Sequence, residues 1–316
     1  MTKTILVTGC AGFIGSNFVR QCMEQFPSMR VVGIDDFSTG RAESLDPSVV
    51  FYRGSILDAK LLENIFSKNE PAYVFHFAAL PRISYSIAHT RRSSEVNIIG
   101  TVALLEASRN HHVKRFIYSS SSSVYGDAKK LPTTEWENSP NPRSPYAIQK
   151  YTGEAFCKVF SDLFSLDTVC LRYFSVYGPW QYGDSPYSTL VGAWLESLYF
   201  PQNKKAFIEG DGNQSRDFCY VGNVISANIL AMQSRKGFRG RAINIASGKR
   251  ITNNEVQALI EKYTGRKLDL EKRPPRKGDV RHTHADISLA KKLLGYQPEI
   301  DFEEGLELTA KWFKDR

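Results

Sequence analysis

Eight residues near the start of the chain, Thr8-Gly9-Cys10-Ala11-Gly12-Phe13-Ile14-Gly15, constrain the fold more than any others. They follow the apolar run Ile5-Leu6-Val7 and open the helix-periodic stretch 14–26. Three glycines at this spacing suit a strand that turns sharply into a helix. Gly9 permits the turn, Gly12 lets backbone approach a bound pyrophosphate, and Gly15 lets the helix pack on the strand. The helix start presents unbonded N–H groups and the positive end of its dipole to an anion. Asp35 lies 20 residues beyond Gly15, at the end of the run Val31-Val32-Gly33-Ile34. A carboxylate there accepts from the hydroxyls of an adenosine ribose and repels a 2′-phosphate, which selects NAD over NADP. Asp35 and Asp36 could instead form a turn pair before Phe37-Ser38-Thr39-Gly40. The ordered succession of strand, glycine turn, helix, strand and acid argues against that simpler role.

Further short apolar runs alternate with helical patterns through the first half: Val49-Val50-Phe51-Tyr52, Tyr73-Val74-Phe75-His76-Phe77, Phe116-Ile117-Tyr118 and Val169-Cys170-Leu171-Arg172. Near-continuous apolar strands separated by helices predict an α/β fold, a doubly wound parallel sheet covered on both faces. Beyond about residue 175 the texture changes to Gly-, Pro- and Tyr-rich loops and shorter helices. With 316 residues to divide, the chain reads as an NAD-binding Rossmann domain over 1–175 and a second, smaller α/β substrate domain over 176–316, with segments crossing between the lobes.

The 41 Lys and Arg against 33 Asp and Glu leave a formal charge of +8. Much of the excess falls within 262–281, where eight basic residues face three acids. Such a balance admits nucleic acid, an anionic surface or a phosphorylated small molecule, but no recognition motif or aromatic stacking array accompanies it, so nucleic acid is not the expected partner. No apolar run reaches the ~18 residues that span a bilayer, so no membrane partner is expected. The five cysteines, Cys10, Cys22, Cys157, Cys170 and Cys219, are scattered without CxxC spacing. They indicate neither a disulfide framework nor a metal site, and the chain reads as cytoplasmic.

Two further groups carry chemistry. Tyr146 and Lys150 stand four apart on one predicted helix face. A lysine ammonium near a phenol favours the phenolate, so this spacing predicts a tyrosine whose pKa is lowered enough to act as a general base. The run Ser119-Ser120-Ser121-Ser122-Ser123 follows a predicted strand, at the sheet edge where ligands of such folds bind.

Together, TGxxGxxG, His76-Phe77-Ala78-Ala79, Asn97-Ile98-Ile99-Gly100-Thr101, Ser121 through Gly126, Pro145-Tyr146 with Lys150, and Leu171-Arg172-Tyr173-Phe174-Ser175-Val176-Tyr177-Gly178-Pro179 resemble the extended short-chain dehydrogenases/reductases. Within these the chain is most similar to the UDP-glucose and UDP-N-acetylglucosamine 4-epimerases, nearly end to end, since the stretches 210–221 and 276–282 also match. The resemblance implies Ser121, Tyr146 and Lys150 as catalytic residues. It implies an NAD site lined by Gly9, Gly12, Phe13, Ile14, Asp35, Asp36, Ile56, Phe77, Ala78, Ala79, Asn97, Ser119, Tyr146, Lys150 and Tyr173. On the substrate side it implies Ser121, Ser122, Ser123, Tyr146, Ser175, Arg216, Arg276, Asp279 and Thr283, with the two arginines forking onto a diphosphate. No metal is implied.

Two positions depart from that pattern: Ser55 stands where the family usually has Asp near the adenine, and Ser175 replaces the Asn of an RYFN motif. Ser122 and Ser123 occupy the places where related dehydratases carry Asp-Glu, which disfavours dehydration. Thr283 aligns with a gatekeeper that is small in members accepting N-acetylated sugars. The implied activity is therefore NAD-dependent 4-epimerisation of UDP-hexoses through a 4-keto intermediate, covering UDP-GlcNAc/UDP-GalNAc as well as UDP-Glc/UDP-Gal. A UDP-glucuronate 4-epimerase or decarboxylase is the alternative, though it wants an extra cation that 181–189 does not offer. A non-catalytic NAD-sensing regulator is the remote one, disfavoured because Tyr146 and Lys150 are both retained. The resemblance also implies a homodimer, paired through helices around 93–110 and 145–163.

Overall fold

The computed structural model describes residues 3–184, 189–203, 205–274 and 280–316. The apolar runs form a seven-stranded sheet of β1 (Thr4–Thr8), β2 (Arg30–Asp35), β3 (Val50–Arg53), β4 (Tyr73–His76), β5 (Arg115–Ser121), β6 (Thr168–Tyr173) and β7 (Arg241–Ile245). Their order is β7-β6-β5-β4-β1-β2-β3. The pairs β1–β2, β1–β4, β2–β3 and β4–β5 run parallel. Ile5, Leu6, Val7, Val32, Val74 and Phe75 are fully buried, as strands covered on both faces require. Strand order reverses between β1 and β4, so the carboxyl ends of these two strands mark the topological switch point where such sheets bind ligands. The glycine turn leaves β1 at that point.

Helix α1 (Phe13–Gln25) begins at Gly12, with no side chain capping its first N–H groups. Helix α2 (Ala59–Asn69) starts on Asp58, whose carboxylate accepts from Leu61 N. Two short helices, α3 (Ile83–Ala88) and α4 (Thr90–Ser94), run into a π-helical turn, Glu95–Ile99, and then α5 (Gly100–Asn110). The long α6 (Pro145–Phe164) is set by Ser144, which accepts from Ala147 N, and by proline in its first turn. His76 bridges β1 to α5, with Nδ1 2.8 Å from Thr8 Oγ1 and Nε2 2.9 Å from Thr101 Oγ1. Burial drives its pKa down to about 3, so it packs as a neutral ring.

The chain divides into two compact units. The first comprises Met1–Val124, Pro142–Arg172 and Ile225–Ile243, and the second Tyr125–Asn141, Tyr173–Val224 and Asn244–Arg316. The segments that cross the approximate division at 175 are 125–141, which clusters with the second unit, and 225–243, which clusters with the first. Leu6, Val32, Ile34, Leu62, Phe66, Leu104 and Phe116 are among the core residues of the first unit. The second, with α7 (Leu190–Tyr199), only the first turn of α8 (Val221–Gln233), α9 (Asn253–Thr264), α10 (Ser288–Leu294) and α11 (Phe302–Asp315), packs around Trp194, Leu195, Phe218, Val256, Ile260, Leu306 and Phe313. All five cysteines are buried and unpaired with one another. Among the described residues no helix is long and apolar enough to cross a membrane.

Candidate active site

In the first unit the glycine turn is fixed by backbone geometry. Gly9 has φ +71°, and a Cβ there would lie 2.7 Å from Ala78 N. A Cβ on Gly15 would sit 2.1 Å from Gly9 O. Gly12 differs, since its added Cβ would meet only Gly9 O, at 3.2 Å. The fold therefore demands glycine at 9 and 15, whereas at 12 it leaves an open cradle in front of an uncapped helix start. That cradle fits a pyrophosphate. Asp35 closes the turn from β2: its Oδ2 accepts from Ala11 N at 2.9 Å and its Oδ1 from Phe37 N at 2.8 Å. Burial raises its pKa, and the two N–H donors act against that rise. Asp36 forms a turn, accepting from Ser38 N at 2.9 Å. These groups suit NAD, with free lone pairs on Asp35 for ribose hydroxyls.

At the carboxyl end of β5, Ser121 comes together with Tyr146 and Lys150 of α6. Tyr146 is hydrogen-bonded to the Ser121 hydroxyl, and its backbone N–H donates to Ser86 Oγ at 3.0 Å. Ser121 Oγ also accepts from Ser123 N at 3.2 Å. Lys150, buried at 4% exposure, donates from Nζ to Ser119 O at 2.7 Å. Its Nζ lies 5.9 Å from the Tyr146 ring centroid and 5.0 Å from that of Tyr118.

The expected electrostatics need correcting here. Burial pushes the Tyr146 phenol up to about 12, and the groups that oppose it are Ser121, by its hydrogen bond, and Arg82, by its charge. Lys150 Nζ, 5.9 Å from the ring centroid, does not offset that rise. Its ammonium faces the Ser119 carbonyl, and burial brings Lys150 itself down to about 8. Spacing on a helix indicates which side chains share a face, but not how far burial outweighs a neighbouring charge.

The other expected lining residues divide by role. Ala78 N donates to Thr8 Oγ1 at 3.2 Å, and Phe77 packs on Phe18 with ring centroids 5.4 Å apart. Ala79 follows on the same segment after β4. Ile56, buried, meets Gly100 so closely that a Cβ there would lie 2.6 Å from Ile56 Cδ1. Asn97, in the π-helical turn, is committed to the protein: Oδ1 accepts from Leu80 N and Nδ2 donates to Leu80 O and Gln149 Oε1. Ser123 Oγ is buried with no hydrogen-bond partner among the described residues, as suits a hydroxyl that awaits a ligand.

Residues that the sequence did not single out also gather here. Arg82 starts α3 at φ 92°, a conformation L-residues adopt rarely and one that marks functional loops. Its carbonyl accepts from Ser86 N at 3.0 Å, one turn from the hydroxyl that holds Tyr146. Gln149 links Asn97 to Ser93 and Ser94. The available signal for Glu154 was its place one helical turn beyond Lys150.

In the second unit, Arg216 pairs across a short antiparallel ladder with Ile251 and donates from Nη1 to the carbonyls of Ser215 and Arg281, each at 3.0 Å. Thr283 N donates to Ser215 O at 3.0 Å, and its Oγ1 accepts from Asp217 N at 3.2 Å. Asp217 is fully buried and accepts from Ser247 and Ala285; burial raises its carboxyl to about 6. His282 is depressed by burial and by the charges of Arg250, Arg281 and Arg216. Three guanidiniums thus act on one imidazole, and two of them, Arg250 and Arg281, are not among the expected site residues. Tyr173 is buried. Ser175 has φ 25°, a conformation that Asn tolerates better than Ser, which gives a backbone reason for the Asn of the related motif. Arg276 and Asp279 lie outside the described residues.

The model of the NAD dependent epimerase/dehydratase family matches residues 5–246. Among solved structures, the UDP-glucose 4-epimerase of Thermotoga maritima with UDP-glucose superimposes with a TM-score of 0.92 at 38% identity, covering 99% of each chain. The UDP-N-acetylglucosamine 4-epimerase of Methanobrevibacter ruminantium, in complex with UDP-N-acetylmuramic acid, gives 0.90 at 36%, again over 99% of each. The UDP-glucuronic acid 4-epimerase of Bacillus cereus, with UDP-glucuronic acid and NAD, gives 0.88 at 32% over 99% of each.

Proposed function

The chain belongs to the NAD dependent epimerase/dehydratase family, and from that premise we propose that it is an NAD-dependent UDP-hexose 4-epimerase. The observation that carries this reading is the junction of Ser121, Tyr146 and Lys150 at the end of β5, in the unit that also holds the glycine cradle. NAD, when bound, supplies the hydride acceptor and a positive charge. Tyr146 Oη takes the proton from the sugar 4-hydroxyl, with Ser121 Oγ bridging, as that carbon becomes a ketone. The same oxygen returns the proton when the sugar is reduced on its other face. Lys150, anchored on Ser119 O, orients the cofactor ribose. Gly9, Gly12, Phe13, Ile14, Asp35, Asp36, Ile56, Phe77, Ala78, Ala79, Asn97, Ser119 and Tyr173 form the cofactor site by this reading, and Arg216, Arg276 and Asp279 hold the UDP. The convergence of Arg216, Arg250 and Arg281 supports an anionic diphosphate as its target. Thr283, small at the proposed gate, supports N-acetylated as well as plain hexoses.

A second reading, a UDP-glucuronate 4-epimerase, is favoured by one observation: Arg82 lies close enough to Tyr146 for its charge to act on the phenol. It offers, near the proposed base, a cation of the kind that 181–189 lacks. Incubation with UDP-Glc, UDP-GlcNAc and UDP-GlcA separately, followed by NMR without added reductant, tests both. Conversion of UDP-Glc to UDP-Gal and of UDP-GlcNAc to UDP-GalNAc is expected, with UDP-GlcA at least ~10-fold slower. Conversion of UDP-GlcA alone, reduced about 10²-fold by Arg82→Gln through loss of one charge-assisted bond, would replace the main reading by the second.

We also infer a homodimer. Ile148, Tyr151, Val159 and Leu163 form an exposed apolar stripe on α6 at near-helical spacing, with Leu163 70% exposed and Ile99 nearby in sequence to α5 at 58%. Leu163→Asp should convert a sedimenting dimer to monomer at micromolar concentration, and an unchanged sedimentation coefficient would remove α6 from the interface. The buried free cysteines support a cytoplasmic home.

A further inference from the structure

Tyr146, Lys150 and Glu154 succeed one another at one-turn intervals on α6 and meet three consecutive residues of β5. Tyr146 is bonded to Ser121, Lys150 Nζ to Ser119 O, and Ser120 Oγ donates to Glu154 Oε1. From β6, Arg172 clasps the same carboxylate with a fork, Nε to Oε1 at 2.8 Å and Nη2 to Oε2 at 2.6 Å. Glu154 is 5% exposed and Arg172 4%. A buried pair of this kind returns little net stability compared with apolar residues of equal volume. Its position, directly beneath Lys150 and bonded to the middle serine of the strand, gives it another use.

We propose that Glu154 is a positioning residue for the reaction: clamped by Arg172, it is the counter-ion of the Lys150 ammonium and, through Ser120, holds the serine strand in register against Tyr146. This rests on the reading of Tyr146 and Lys150 as the proton-transfer and ribose-holding groups. The groups around Lys150 are Tyr146, Glu154 and Cys157 on α6, Tyr118 on β5, neutral His76 on β4, and Arg172 on β6, which is held by Glu154. Burial lowers the lysine, and Glu154 acts in the opposite direction. Without that carboxylate the ammonium gives up its proton at lower pH.

The test uses the NAD-loaded protein with ¹³Cε-labelled lysine, the Lys150 resonance being assigned by Lys150→Arg. Glu154→Gln should titrate Lys150 at least about one pH unit lower, a tenfold change in proton affinity, and move the pH at which kcat/KM levels off by the same amount. Because the single variant leaves Arg172 buried without its carboxylate, Glu154→Gln with Arg172→Met provides a neutral pair that restores packing. A restored melting temperature with Lys150 still titrating low supports the counter-ion. A restored melting temperature with Lys150 titrating as in the parent protein leaves a structural pair only and overturns the proposal. If none of the three UDP-sugars turns over yet the titration moves, the counter-ion stands and the epimerase reading falls.

Discussion

Tyr146→Phe is expected to lower kcat by about 10³-fold, within the range for loss of a positioned general base, while NAD stays with the purified protein. The phenylalanine keeps the ring that α6 packs and removes only the oxygen bonded to Ser121, so the stability loss is that of one hydrogen bond, about 1 kcal/mol. The pH profile of the parent enzyme carries the same argument. A phenol held near 12 is ionised in roughly one molecule in 10⁵ at pH 7, so Ser121, Arg82 and the charge of the bound cofactor must together stabilise the phenolate. Activity should rise with pH as Tyr146 ionises. The rise should level off as Lys150, charged below about 8, loses its proton, because each further pH unit then loses as much ammonium as it gains phenolate. Measured by product NMR across pH 6 to 10, a variant within threefold of the parent enzyme would remove Tyr146 from the base role.

How far the sequence reaches is clearest from pairs of neighbouring features. The order of strands, glycine turn and helices was legible because each is a local pattern with a distinct period, and parallel sheets advertise themselves by apolar runs buried on both faces. That segments cross between the units was expected, but not which ones, 125–141 and 225–243, since which unit a loop or helix joins is decided by long-range packing. Ser121, Tyr146 and Lys150 could be collected from motif spacing, and the structure brings them together. Arg82 could not, because its proximity to Tyr146 comes from the packing of α3 on α6, which no local pattern announces. Glu154 was within reach of the same helical arithmetic that linked Tyr146 to Lys150. Its partner Arg172 is 18 residues away on another strand, and only folding reveals the pair. The upward shift of Tyr146 was hidden for the same reason: a ladder of side chains on one helix is one-dimensional, whereas burial and charge at a phenol are summed over every element around it.

Gly12 and Gly15 should separate binding from folding, with opposite outcomes for the same added methyl group. At Gly15 the new Cβ would stand 2.1 Å from Gly9 O, 2.9 Å from Gly9 C and 3.1 Å from Cys10 Cα. All three are backbone atoms of the turn, and the turn is itself held by Gly9 N donating to Ile34 O at 2.8 Å and by Asp35 on Ala11. Neither side can yield without moving α1 off β1. Gly15→Ala should therefore cost about 3–5 kcal/mol, in the range of severe overpacking, and lower the melting temperature by about 10 °C or more for a unit of this size. At Gly12 the methyl group would meet only Gly9 O at 3.2 Å, which small adjustments relieve. It would project into the cradle before the helix start, where the backbone must approach the pyrophosphate. Gly12→Ala should melt within a few degrees of the parent protein when both are stripped of cofactor, and bind NAD about 10²-fold more weakly by calorimetry. Equal loss of stability in the two variants would mean that the glycine at 12 serves the fold alone, and unchanged NAD affinity in Gly12→Ala would move the dinucleotide away from this turn.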